Sequence, residues 1–152
     1  MQIQPTQAQT AAANGLESAI LSQDGELAEH AINRAGAAGL HPVHEPFLIL
    51  LIEAPWHSRH EDLVGALQDM RTPTAVGALE RTAHARYKYL DYDVYLGLAR
   101  KCTWALADIG TPEAHQALTR LAACDNPLIA GYANKRLTSW QKELPRKGRH
   151  FS

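Results

Sequence analysis

Along most of the chain the apolar positions recur at helical spacing. Ala75, Val76, Leu79 and Ala83 fall on one face of a helix. So do Leu98, Cys102, Ala105, Leu106 and Ile109, and again Ile129, Ala133 and Leu137. The pattern predicts a helix from about Arg59 to Met70, one around Trp104, and three that open on Thr72-Pro73, Thr111-Pro112 and Asn126-Pro127. In each of those three openings a capping side chain precedes a proline at the first helical position. Upstream, Leu16 to Leu21 and Leu27 to Ala38 predict two short helices broken at Asp24-Gly25. Pro42 and Pro46 flank the start of an apolar segment, Phe47 to Ile52, which Pro55 ends. That segment is apolar on every side, and its helical neighbours favour helix over strand.

The pattern also repeats. The eighteen residues from Ala66 to Ala83 return 39 residues later, from Ala105 to Ala122, with ten identities. These are Ala66/Ala105, Leu67/Leu106, Asp69/Asp108, Thr72/Thr111, Pro73/Pro112, Ala75/Ala114, Ala78/Ala117, Leu79/Leu118, Arg81/Arg120 and Ala83/Ala122. A helical repeat of this length predicts hairpins stacked on one another. Alanines let helix axes approach, and leucines one turn away fill the space between pairs.

The run Leu98…Cys102…Ala105-Leu106-Ala107-Asp108-Ile109-Gly110, then Pro112-Glu113-Ala114…Ala117-Leu118, then Asp125-Asn126-Pro127-Leu128-Ile129…Ala133…Leu137, resembles the HEAT repeat. It looks most like the short bacterial HEAT-like units also found in bilin lyases. The resemblance covers residues 60–140. It implies an all-α, right-handed α-α superhelix of antiparallel helix pairs, and most often a protein-binding role. The chain departs from the family at Ala107, where glycine is usual, and in the long aromatic connection from Ala83 to Val94. The expected organisation is a flexible arm over 1–14, a helical repeat domain over 15–144, and a basic tail over 145–152.

Charge and composition narrow the function classes. The formal net charge is −1, which argues against a dedicated nucleic-acid binder. No apolar run is long enough to span a bilayer. The opening residues have neither the basic nor the apolar region of a Sec signal. The two cysteines, Cys102 and Cys124, have no metal-finger spacing. A cytoplasmic protein is expected, with no membrane partner and no cofactor. There is no phosphate loop, nucleophile elbow or framed carboxylate pair, so a non-catalytic role is expected.

The richest candidate is the connection His84-Ala85-Arg86-Tyr87-Lys88-Tyr89-Leu90-Asp91-Tyr92-Asp93-Val94-Tyr95, which holds four of the five tyrosines. Tyrosines are enriched at interface hot spots. Tyr87, Tyr89, Tyr92 and Tyr95 are therefore candidate anchors for another protein. Asp91 and Asp93 between them favour a basic partner surface. The alternative is that these rings pack on helix ends. Trp56, His57 and His60 form a second polar-aromatic cluster that would rim a binding groove. Arg100-Lys101 and Lys135-Arg136 would line a concave face. Trp104 and Trp140, 36 apart, read as core residues at equivalent places on two helices.

His41-Pro-Val-His44-Glu45 and His57-Ser-Arg-His60-Glu61 each offer imidazoles and a carboxylate, the ligands of zinc or non-haem iron. HEAT-type diiron hydroxylases use such His-Glu steps. The alternative function is accordingly a metal-dependent hydroxylase or bilin-lyase-like enzyme using His44, Glu45, His60 and Glu61. The two steps lie only 16 apart and do not recur at the repeat period, which favours a structural role. The leading expectation is a protein-binding module, and within that class an immunity protein whose partner is a toxin domain.

Overall fold

The computed structural model describes residues 3–148. Every regular element among them is helical. In chain order these are α1 (Gln7–Ser22), α2 (Gly25–Ala38), α3 (Glu45–Ile52), α4 (His60–Met70), α5 (Val76–His84), α6 (Gly97–Ile109), α7 (Pro112–Ala122) and α8 (Pro127–Thr138), with single 3-10 turns before α3 and α5, inside the 85–96 connection and after α8. No described helix is long and apolar enough to cross a membrane.

Helices adjacent in sequence pair: α1 packs on α2, α3 on α4, α5 on α6 and α7 on α8. Between pairs, α1 touches α3, α3 touches α5 and α5 touches α7, while α4 touches α6 and α6 touches α8. One apolar core runs through all of them, from Ala12 and Leu16 through Leu51, Leu63, Leu79 and Leu106 to Leu118 and Ile129. Small side chains set the closest approaches. A Cβ on Gly15 would sit 3.3 Å from the Ala31 Cβ, so α1 and α2 meet almost backbone to backbone.

Both copies of the 18-residue sequence repeat fall on a helix end, a turn and the helix that follows. The repeat maps the end of α4 plus α5 onto the end of α6 plus α7. The equivalent arginines do the same work twice. Arg81 on α5 forks onto both carboxylate oxygens of Glu53, at 2.7 and 3.0 Å, and Arg120 on α7 forks onto Glu80, both bonds 2.8 Å. Each pair ties one helix of the α3–α5–α7 row to the next. Both arginines are exposed, so the pairs serve register more than stability.

The N-terminus corrects the sequence expectation of an arm over 1–14. Helix α1 begins at Gln7. Thr6 caps it, accepting the Gln9 N–H at 3.1 Å, and the Gln9 side chain accepts the Thr6 N–H at 2.8 Å in return. The Gln9 amide also donates to the Gly39 carbonyl (3.0 Å), tying the start of α1 to the end of α2. The tail is corrected in part. Residues 144–148 pack onto α6, where Arg146 chelates the buried Asp108 carboxylate at 3.1 and 3.2 Å and the Gly148 N–H reaches the Asp108 carbonyl. Residues 149–152 lie outside the described chain. Thr111 and Asn126 cap α7 and α8 as expected, but the Thr72 hydroxyl turns away and donates to Glu45. Trp140 lies beyond the end of α8 rather than on it.

Helix α1 ends with Gln23 in the left-handed region, φ 51°. Such a position favours glycine. Gln23→Gly is expected to raise stability by about 0.5–1 kcal/mol, read as a higher urea midpoint at unchanged slope.

Candidate partner-binding face

The 85–96 connection is fixed from beneath by an imidazole–phenol column. His60 opens α4 with its side chain fully buried. Its ring lies between His57, at 4.1 Å between centroids, and Tyr87, at 3.8 Å, nearly parallel to both. His60 Nε2–H donates to the Ala54 carbonyl (2.7 Å), which leaves Nδ1 to accept the Tyr89 O–H (2.7 Å). The Tyr89 oxygen in turn accepts the His60 backbone N–H (3.2 Å). His57 is spent likewise: Nδ1 accepts the Arg59 N–H (3.0 Å) and Nε2–H donates to Leu51 (2.6 Å). Trp56 sits edge-on to His57.

Burial holds the His60 imidazole down to about 4. The Ala54 carbonyl opposes that effect and the neighbouring His57 adds to it. His57 is lowered too, again chiefly by burial. Both rings are therefore neutral at pH 7. Burial raises the Tyr87 and Tyr89 hydroxyls, and both stay protonated.

The other histidine pair uses the same grammar. His41 Nδ1 accepts the Val43 N–H, as His57 does for Arg59 two residues on. His44, fully buried, donates from Nε2 to the Gln9 carbonyl (2.9 Å) and accepts the His41 N–H at Nδ1 (3.1 Å). The motif His-x-x-His-Glu thus clamps the entrances of α3 and α4 onto the preceding chain. Glu45 receives Thr72, and Glu61 lies in the first turn of α4, where the helix dipole favours a carboxylate. His44, Glu45, His60 and Glu61 are not gathered at one point. Among the described residues no three His, Cys, Asp or Glu side chains converge where an ion would be held. The Cys102 thiol is buried and pushed up, hence inert.

Above this column the loop tip is bare. Tyr92, Val94 and Tyr95 are 78%, 70% and 72% exposed. The tip is nonetheless held. The Tyr132 hydroxyl on α8 donates to the Tyr95 carbonyl. Asp93 accepts the Tyr95 N–H (3.0 Å) and the Gly97 N–H (2.9 Å), so its carboxylate caps α6. A Cβ at Gly97 would come within 2.5 Å of that carboxylate, which is why the position is glycine. Asp91 remains exposed.

Two grooves flank α6. The one toward α4 and α2 has a volume of about 480 Å³, an apolar floor including Ile32, Leu48 and Leu63, and a rim of Glu61, Asp62, Asp69, Arg59 and Lys101. The one toward α8 is smaller, about 200 Å³, and is lined by Arg100, Thr103, Trp104, Tyr132, Lys135 and Arg136. Arg100 and Lys101, neighbours in sequence, thus face different grooves. Trp104 is half-buried under two guanidiniums, with Arg136 3.5 Å and Arg146 4.6 Å from its ring centre.

The candidate residues therefore divide. His57, His60, Tyr87 and Tyr89 hold the loop, with Trp56 against them, and Tyr92, Tyr95 and Asp91 face outward. The sequence reading missed Val94 and Tyr132. Tyr132 lies three and four residues before Lys135 and Arg136, so helical spacing alone places it on their face. No protein-family model, curated protein or solved structure matches the chain.

Proposed function

We propose that the chain is a non-catalytic protein-binding module of HEAT type. In this reading the eight helices form four antiparallel hairpins stacked as a right-handed superhelix, with α1, α3, α5 and α7 in one layer and α2, α4, α6 and α8 in the other. The helix-to-helix contacts and the duplicated arginine forks support that arrangement. The observation that carries the functional reading is the tip Tyr92-Asp93-Val94-Tyr95. Large aromatic surface lies bare, yet its backbone is pinned to α6 and α8. Exposed aromatics on a pre-ordered backbone lose little entropy on docking.

The narrower reading is a cytoplasmic immunity protein that blocks a toxin domain. The bare aromatic tip on a held backbone supports it. The test is direct: the purified chain is titrated with toxin domains, beginning with any encoded beside it. Nanomolar binding with loss of toxin activity is expected. Absence of binding at micromolar concentration rejects the immunity role.

A further inference from the structure

The sequence, with Asp91 and Asp93 among the tyrosines, pointed to a basic partner. In the structure Asp91 is exposed and Asp93 is not. Asp93 is consumed at the start of α6. The cleft beside the tip, between α6 and α8, is lined by Arg100, Lys135 and Arg136 and by no carboxylate. Arg100 and Lys135 are exposed and form no ion pair among the described residues. Arg136 is over nine-tenths buried, stacked on Trp104, and donates from Nη1 to Glu143 (2.9 Å). Its other N–H groups have no acceptor among the described residues, and a guanidinium carries five donors in a fixed fork. Guanidinium donors that open into a cationic cleft suit an anion.

Building on the protein-binding reading, we infer that the α6/α8 cleft takes an acidic segment of the partner. Its carboxylates would bond to Arg100, Lys135 and Arg136 while the rings of Tyr92 and Tyr95 pack beside them. A nucleic-acid strand fits less well. Strand binding rests on a basic excess along the backbone path, and the chain carries a formal net charge of −1.

Fluorescent octaglutamate, octalysine and an eight-nucleotide thymidine DNA strand, each titrated at low salt, test this. Octaglutamate is expected to bind at least tenfold more tightly than either other probe, and to weaken as salt rises, since the contacts are screened. The double variant Arg100→Glu with Lys135→Glu is expected to weaken octaglutamate at least tenfold. Both side chains are exposed, and an unchanged circular dichroism melt shows the fold intact. Tighter binding of octalysine or of the DNA strand, or equal octaglutamate binding by the charge-reversed variant, overturns the inference. A protein partner that still docks through the tyrosine tip after such a result leaves the protein-binding reading standing and removes only the acidic partner.

Discussion

Replacing His60 with alanine is expected to destabilise the chain by about 3–4 kcal/mol. The side chain is fully buried, fills the space between His57 and Tyr87, and satisfies the Ala54 carbonyl and the Tyr89 hydroxyl together. Its removal leaves a cavity and two unsatisfied polar groups, and these costs add. Urea unfolding at pH 7 measures the loss. A loss below about 1 kcal/mol would mean that the column is not what fixes the loop.

The same residue gives the wild-type chain a pH dependence. Burial holds folded His60 down to about 4, against 6.5 for the unperturbed group. As pH falls the unfolded chain takes up the proton first. Stability from this source is complete above about pH 6.5 and is lost as pH falls toward 4, to the extent of about 3 kcal/mol. His57 is shifted in the same direction and adds to the slope. His60→Ala is expected to flatten the profile between pH 6.5 and 4. A profile equally steep in the variant would assign the acid sensitivity elsewhere.

The second large effect lies in binding. Tyr92→Ala with Tyr95→Ala is expected to weaken the partner complex by 2 kcal/mol or more, roughly thirtyfold, with little change in folding stability. Both rings lie outside the core, and Tyr132 holds the loop through the Tyr95 backbone, which alanine retains. Calorimetric titration of partner into both proteins gives the difference. Tyr87 and Tyr89, from the same tyrosine cluster, behave otherwise. Their substitution acts on stability, because Tyr87 stacks on His60 and Tyr89 is hydrogen-bonded to it.

The helices could be read from the sequence because their signals are local. Periodicity, Thr-Pro and Asn-Pro starts and the 39-residue repeat each depend on near neighbours along the chain. The start of α1 was equally readable. Thr6-x-x-Gln9 is a capping-box pattern, masked by the low-complexity look of the Gln/Ala/Thr stretch around it. The roles of the histidines were not readable. The same two imidazoles three residues apart can face a metal or a backbone carbonyl. Only the distant Gln9 and Ala54 carbonyls and the Tyr89 hydroxyl decide which. The division among the tyrosines was hidden for the same reason. Alternation of Tyr, Lys, Tyr, Leu, Asp and Tyr says nothing about which rings find His60. The role of Asp93 was hidden too, because it is a cap, and a cap is visible only once the helix it serves is in place.

The central claim is that the fixed tyrosine tip and the α6/α8 face meet a protein partner. Hydrogen exchange of the chain alone and saturated with partner tests it most directly. Slowed exchange is predicted across 92–100 and 132–136, with 112–122 of α7 unchanged. Protection confined to α5 and α7, with the tip exchanging as fast as in the free chain, would contradict it.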